Sequence, residues 1–419
     1  MKSYAEVIDY LYHAAPLFQN IGAGAYKEGL SNTLALDEHF GHPHRRFRTI
    51  HVAGTNGKGS VSSTMAAILQ SAGLNVGLYT SPHLVDFRER IRVNGEMIPE
   101  QRVIDFVEQE RAFFEPLSPS FFELTTALAF LYFAEQNVDV AVIEVGLGGR
   151  LDCTNIIQPD LSIITNISFD HQQFLGDTLP QIATEKAGII KVGIPVVIGE
   201  TNGHDDVRDV FVQMASAKKA VIRFVDEENW PMVECELKGE YQRANMSTVQ
   251  CAVEMLREQA FYHDILTLEA VHNGLENVME QTGLRGRWQV VNTMPLTICD
   301  VGHNAAGIEY VVRQLSAQPQ QRLRIVFGMV GDKDYRKSMS LMSALRDRAD
   351  FYITQPSSER ALSATVLAEE ARQHGLNVRL CVSTIKEAVE AAHADASPDD
   401  LIFIGGSCYL VADYFAGAR

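Results

Sequence analysis

The stretch Ile50-His51-Val52-Ala53-Gly54-Thr55-Asn56-Gly57-Lys58-Gly59-Ser60 constrains this chain more than any other. A β-type apolar run ends in a glycine-rich turn carrying one lysine and one hydroxyl. An apolar helical pattern (Val61, Met65, Ile68, Leu69) follows directly. Strand, turn and helix in that order build a phosphate cradle. Glycines let backbone N–H groups approach phosphate oxygens, and the helix N-terminus adds favourable partial charge. In such a cradle a lysine like Lys58 neutralises β/γ-phosphate charge, and a serine like Ser60 can face a magnesium ion. The spacing departs from the usual G-x-x-x-x-G-K-[ST]: the first glycine would fall on Val52, and Gly59 stands where the hydroxyl should follow Lys58. The turn by itself admits a nucleotide site or a structural tight turn, and the strand before and helix after it favour the first.

The pattern around this stretch is an α/β alternation. Helices are expected from Ser3 to about Phe40, around a loop of small residues from Asn20 to Gly29. Strands are expected at Thr49 to Ala53, Asn75 to Thr80, Val138 to Glu144, Leu161 to Thr165 and Ile194 to Ile198. Pro99 suits the first turn of a helix, Phe121 to Phe133 is apolar almost all round and reads as a buried helix, and Asp86 to Gly95 reads as an exposed loop or short ribbon. Right-handed crossovers then imply one mostly parallel, P-loop ATPase-like sheet with helices on both faces. The rhythm restarts after Gly283-Leu284-Arg285-Gly286-Arg287-Trp288, with strand-like runs at Leu296, Leu323, Phe351, Val378 and Leu401. That predicts a smaller, Rossmann-like second α/β domain, the division running 1–290 and 291–419.

Composition matters for partners. A formal net charge of −17 opposes non-specific binding to nucleic acid or anionic membrane, so an anionic substrate needs a local basic pocket. No apolar run reaches membrane-spanning length, Glu6 and Asp9 interrupt any leader-like h-region, and six cysteines form no C-x-x-C pair. A cytoplasmic chain with reduced thiols is expected.

Hard oxygen ligands for a metal should come from neighbouring strand ends. Glu144 ends its strand like a Walker-B acid, and Ser60, Ser81 and His171 (in Ser168-Phe169-Asp170-His171) are candidates for the same site. Gly146-Leu147-Gly148-Gly149-Arg150-Leu151-Asp152 is either a tight exit turn or a place where substrate passes the backbone beside Arg150 and Asp152. Lys186 lies in a helical run, where a lysine is ordinarily on a solvated face. In the second domain Asp300-Val301-Gly302-His303-Asn304 follows a strand and opens a helix: Asp300 suits a ribose hydroxyl and His303 a phosphate, while helix capping by Asp300 or Asn304 is the plainer reading. Arg287 is a guanidinium suited to a triphosphate.

Together these residues resemble the folylpolyglutamate synthases and dihydrofolate synthases, relatives of the Mur peptide ligases. The resemblance runs through Gly54 to Ser60, Thr80-Ser81-Pro82-His83-Leu84, Phe121-Phe122-Glu123-Leu124-Thr125, Glu144 to Asp152, Ser168 to His171, Glu185-Lys186-Ala187-Gly188-Ile189, Asp300 to Asn304, and Phe327-Gly328 with Asp332-Lys333-Asp334. It departs from the family around Lys27-Glu28-Gly29-Leu30, where a charged G-L-E-R type pattern is expected. What it implies is an ATP-dependent amide ligase, joining L-glutamate to dihydropteroate or to a reduced folate. Gly54, Thr55, Asn56, Gly57, Lys58, Gly59 and Ser60 would hold ATP, with Asn245, Arg287 and Asp300. Ser60, Ser81, Glu144 and His171 would serve two magnesium ions, with Lys186 matching a lysine that in this family is carbamylated. His303, with Asp300, would lie near the reacting groups.

The pterin-bearing substrate would lie near Pro82, Phe121, Phe122, Glu123, Arg150, Leu151, Asp152 and Cys153, and the incoming glutamate near Ser407 and Tyr409. A monomer with no nucleic-acid or membrane partner is implied. The rival readings are a Mur-type ligase for another carboxylate, and a non-catalytic nucleotide-dependent switch.

Overall fold

A computed structural model describes residues 3–14, 29–201 and 203–417, with only the backbone described for 13 and 14. The expected loop from Asn20 lies outside these residues except for Gly29, as do Lys27 and Glu28. Two helices, Tyr4–Ala14 and Ser31–His39, flank it as expected.

The chain divides into two compact units, Met1–Glu236 with Gln242–Leu284, and Leu237–Tyr241 with Arg285–Arg419. The division therefore falls before the expected 290/291. The cause is β9 (Gln289–Thr293), which the alternation pattern missed: it pairs antiparallel with β10 (Leu296–Asp300) and so belongs to the second sheet.

The first unit is built on eight strands: β1 (Arg48–Ala53), β2 (Val76–Tyr79), β3 (Ile91–Val93), β4 (Glu96–Met97), β5 (Val140–Glu144), β6 (Leu161–Asn166), β7 (Val196–Glu200) and β8 (Ile222–Phe224). Their order is β4-β3-β2-β5-β1-β6-β7-β8. All neighbours are parallel except the β2-β3-β4 ribbon. Successive strand residues point to opposite faces. In β5 and β6 every residue is buried, so helices and loops cover both faces, as the near-continuous Val/Ile runs predicted. One face carries a core of Phe106, Phe121, Phe130, Phe133 and Ile143. The helix Leu268–Glu276 lies so close on the helix Lys58–Ser71 that a Cβ on Gly274 would meet the Ile68 backbone nitrogen at 2.6 Å.

The ribbon corrects one expectation. Within Asp86 to Gly95, Phe87, Arg90 and Ile91 are buried rather than exposed. The polar letters mislead here because Asp86 caps its own turn, with Arg88 N donating to it and Glu89 closing a capping box, while Phe87 between them and Ile91 after them turn inward.

The second unit has order β13-β12-β11-β14-β10-β9, with β11 (Leu323–Phe327), β12 (Ala349–Ile353), β13 (Asn377–Cys381) and β14 (Leu401–Gly405). Everything but β9 is parallel. Phe327, Phe351 and Phe403 fill one face and Val326, Tyr352 and Ile404 the other. The chain runs from β10 across β14 to β11, and the C-terminal ends of these strands are where open α/β sheets place ligands.

Candidate active site

In the first unit the C-terminal ends of β1, β2, β5 and β6 share one edge. They deliver the glycine loop, Ser81, Glu144 and the segment Ser168 to His171. The loop's shape follows from its glycines. Gly57 caps the helix Lys58–Ser71 at φ 85°, a left-handed conformation, and any Cβ there would collide with the Asn245 amide. The exit of β6 stitches the loop down: Thr165 Oγ1 donates to Asn56 O (2.5 Å), Thr55 N donates to Asn166 O (3.0 Å), and Asn56 N donates to Asn166 Oδ1 (3.0 Å). The Thr55 hydroxyl donates to Ser168 O and accepts from Ser168 N, both at 3.1 Å.

Two lysines meet on this loop. Lys58 Nζ donates to Gly54 O (3.0 Å) and Thr55 O (3.1 Å), and Lys186 Nζ donates to the same Gly54 O at 3.0 Å. Lys186 is buried, not on a solvated face as its helical setting suggested, because the helix Leu179–Ala187 turns this side chain beneath the loop. Burial, and then the charge of Lys58, bring its pKa down to about 7.

Of the metal candidates, Ser60 is buried and its Oγ accepts from Gln242 Nε2 at 3.2 Å. Glu144 is buried with Oε2 accepting from Ser81 N at 2.9 Å, which joins two of the predicted ligand positions. His171 opens a short helix at φ 50°, and its N–H donates to Asp170 Oδ1 at 2.9 Å. Among the described residues no three His, Cys, Asp or Glu side chains converge on a common point. The donors present, the Ser60 hydroxyl and the Glu144 carboxylate, are hard oxygens, which suit magnesium, a hard ion that takes one or two protein oxygens and completes its octahedron with substrate phosphates and water.

The expected pterin-contacting residues divide in two. Phe121 is a core residue between Tyr12 (centroids 5.5 Å) and Phe87 (5.7 Å), and Glu123 spends its carboxylate on a capping box with Ser120 N at 2.6 Å. The Asp152 carboxylate accepts from Leu147 N (2.9 Å), Thr154 N (2.9 Å) and Thr154 Oγ1 (2.5 Å), closing the Gly146 to Asp152 turn; burial raises its pKa. Arg150 extends outward to Glu185 at 2.9 Å. Phe122, Leu151 and Cys153 stay half-buried, and the Phe122 ring lies over Gly146, where a Cβ would come within 2.8 Å of it. Pro82 follows a cis peptide bond from Ser81.

Sequence reasoning did not single out two neighbours of these residues, Gln242 and His83, the latter lying in the Thr80 to Leu84 stretch that carries the resemblance. His83 Nδ1 accepts from the buried Arg90 Nε at 2.7 Å, and its Nε2 lies 3.2 Å from Tyr12 Oη; burial drives the imidazole pKa well down, so it stays neutral. Gln242, beside the predicted Asn245, reaches Ser60. The stretch Gln242-Arg243-Ala244-Asn245, one helical turn between two carboxamides, was the signal available.

In the second unit Asp300 ends β10, buried, with Tyr241 Oη (2.6 Å) and Trp288 N (2.8 Å) donating to Oδ2 and Gly302 N (2.7 Å) to Oδ1. Burial raises its pKa. Capping of the helix Ala305–Ala317 falls to Asn304, which accepts from Gly307 N at 2.9 Å. His303 Nδ1 lies 3.1 Å from Val301 O. Arg287 is half-buried, and its charge favours the ionised form of Asp300. Beyond β14, Ser407 Oγ accepts from Tyr409 N (3.1 Å), and Tyr409 Oη accepts from Arg360 Nη1 (3.2 Å).

A parallel sheet with a displaced P-loop, followed by a second α/β unit, is the plan of a Mur-type ligase. The family models agree: residues 52–294 match the Mur ligase middle domain and residues 286–408 the Mur ligase glutamate ligase domain. The folylpolyglutamate synthase of Lacticaseibacillus casei is 33% identical, over 98% of this chain and 97% of its own length. Escherichia coli FolC in complex with DHPP and ADP superposes with a TM-score of 0.84 at 29% identity, covering 100% of this chain and 98% of that one. A bifunctional folylpolyglutamate synthase/dihydrofolate synthase with Mn, AMPPNP and L-glutamate bound gives 0.84 at 30% identity with the same coverage. The chain belongs to the folylpolyglutamate synthase/dihydrofolate synthase family.

Proposed function

We propose that this chain, an ATP-dependent glutamate ligase by family, joins L-glutamate to dihydropteroate, to the γ-carboxylate of a reduced folate, or to both, through an acyl phosphate. The observation that carries this reading is the displaced P-loop, with Gly57 in the left-handed conformation opening the helix Lys58–Ser71 and the Lys58 ammonium folded over the carbonyls of Gly54 and Thr55. A cation and a glycine turn at a helix N-terminus suit a polyphosphate whose terminal group is to be transferred. The relatives solved with ADP, or with Mn and AMPPNP, support a nucleotide and a divalent metal.

Amide synthesis from a carboxylate needs a leaving group, since oxide is not one. The substrate carboxylate attacks the γ-phosphorus, ADP leaves, and the acyl phosphate forms. Gly54 to Ser60 hold the phosphates, with Lys58 offsetting charge on the transferring group. Magnesium, when bound, offsets phosphate charge; Ser60, Ser81, Glu144 and His171 are its proposed holders, with Lys186 serving a second ion as a carbamate. Asn245, Arg287 and Asp300 are the proposed ATP contacts outside the loop. The neutral amine of glutamate, held by Ser407 and Tyr409 with His303 close to the reacting groups, then attacks the carbonyl carbon, and the tetrahedral intermediate expels phosphate. The half-buried Phe122, Leu151 and Cys153 would take the pterin-bearing substrate. The enzyme is proposed to act as a cytoplasmic monomer.

The test is purified protein with MgATP and glutamate, offered dihydropteroate and tetrahydrofolate separately, with ADP release and product mass measured. A mass gain of one glutamyl residue with either acceptor is expected, and inactivity with both would sink the assignment.

A further inference from the structure

We propose that Gln242 is a positioning residue for the P-loop hydroxyl: its carboxamide holds Ser60 Oγ in the one rotamer that offers an oxygen lone pair to the metal of the metal–nucleotide complex. The inference rests on the reading of Ser60 as a metal-facing group and names what makes it one.

A serine hydroxyl has one hydrogen, two lone pairs and three staggered χ1 wells, so an unheld serine points its oxygen correctly only part of the time. Ser60 does not rotate freely. Gln242 Nε2 donates to its Oγ at 3.2 Å, and Gln242 is itself fixed by Asn245 Nδ2, which donates to Gln242 Oε1 at 2.8 Å. Ser60, Gln242 and Asn245 are all buried, so the two bonds face little competition from solvent. With one lone pair used by Gln242, the hydroxyl keeps one lone pair and its hydrogen.

Geometry makes the arrangement specific. Gln242 and Asn245 lie three apart on the helix Gln242–Arg257 and so on one of its faces. They address two points of the loop, Gln242 the Ser60 hydroxyl and Asn245 the Gly57 Cα, beside which no Cβ fits. The displaced hydroxyl gives this device a purpose. In the usual spacing the hydroxyl follows the lysine directly, but here Gly59 intervenes and Ser60 sits one residue further along the helix. A side chain from a separate helix then sets its direction.

The experiment is equilibrium binding of a non-hydrolysable ATP analogue by calorimetry, with and without Mg2+, for wild type, Gln242→Met, Gln242→Glu, Ser60→Ala and the double variant Gln242→Met/Ser60→Ala. Methionine keeps the volume and removes the donor; glutamate keeps the shape but can only accept, which reverses the Ser60 hydrogen bond. In Gln242→Met all three wells open, so the Mg2+-dependent gain in affinity should fall about threefold, one well in three; in Gln242→Glu the carboxylate accepts from the hydroxyl and holds the same rotamer, so the gain should be kept. In Gln242→Met affinity without Mg2+ should stay within about twofold. In the Ser60→Ala background Gln242→Met should add nothing, since Gln242 acts only through that hydroxyl. Additive losses in the double variant, or equal losses with and without Mg2+, would overturn the proposal. A Ser60→Ala enzyme with an undiminished Mg2+ gain would instead refute Ser60 as the metal-facing group.

Discussion

Lys186 offers the sharpest quantitative test. Its ammonium shares Gly54 O with Lys58 inside a buried site, and its pKa falls from the ordinary 10.5 to about 7. That displacement corresponds to about 5 kcal/mol of bias against the charged form. At pH 7 an ordinary lysine is neutral in roughly three molecules of ten thousand, whereas Lys186 is neutral in about half, a gain of about a thousandfold in the form that attacks CO2. The proposed carbamate would be an anion beside Lys58, so the modification would replace a repulsion with an attraction. The sign of the pH dependence follows: a depressed lysine pKa leaves the folded state less stable near pH 7 than at higher pH, and the loss is regained as pH rises from about 7 towards 10.5. In CO2-free buffer Lys186→Met should therefore be more resistant to denaturation than wild type at pH 7, by an advantage that shrinks by pH 10. With 13C-bicarbonate and MgADP present, wild type should give a carbamate carbon resonance that Lys186→Ala lacks, and ADP release should fall on rigorous removal of CO2. A spectrum without that resonance, with turnover indifferent to CO2, would refute the reasoning.

Other substitutions test the remaining parts. Lys58→Ala should abolish substrate-coupled ADP release, and normal turnover in that variant would remove the phosphate-cradle assignment. Gly57→Ala forces a left-handed alanine, costing about 1–2 kcal/mol, and drives its Cβ into the Asn245 amide; the KM for MgATP should rise about five- to thirtyfold, the factor that energy implies. Asp300→Asn sets an NH2 group either against the Gly302 N–H or against the Tyr241 and Trp288 donors, the amide oxygen keeping the other side, so the second unit should lose about 1–3 kcal/mol, measured by its thermal transition, together with activity.

Some of this chain was written in local sequence. Glycines at 54 and 57 with Lys58, an apolar run before and an apolar helix after, specify a strand-turn-helix from near-neighbour physics alone. Glu144 could be placed because a Val/Ile run of strand length ends on it, and a parallel strand's C-terminal end has a fixed meaning. The strands of both sheets were legible for the same reason, except for short or edge elements. Val290 to Asn292 alternate weakly, and β9 declares itself only by pairing with β10.

Tertiary structure decided the rest, because burial and hydrogen-bond partners are properties of neighbours distant in sequence. Lys186 and Arg90 are charged letters in polar company, yet both are buried, Lys186 beneath a loop 132 residues away. Asp152 and Glu123 read as substrate contacts, but the fold turns their carboxylates onto backbone N–H groups. Gln242 acquires a role only when its helix sets a carboxamide against Ser60, 182 residues earlier in the chain. The sequence by itself determined that this protein has a glycine loop between strand and helix on a parallel sheet, with a second α/β unit, because those features rest on periodicity and on glycine's conformational freedom. Which polar groups around the loop are held, neutralised or already engaged was decided only on folding, when desolvation gave each of them a single set of partners.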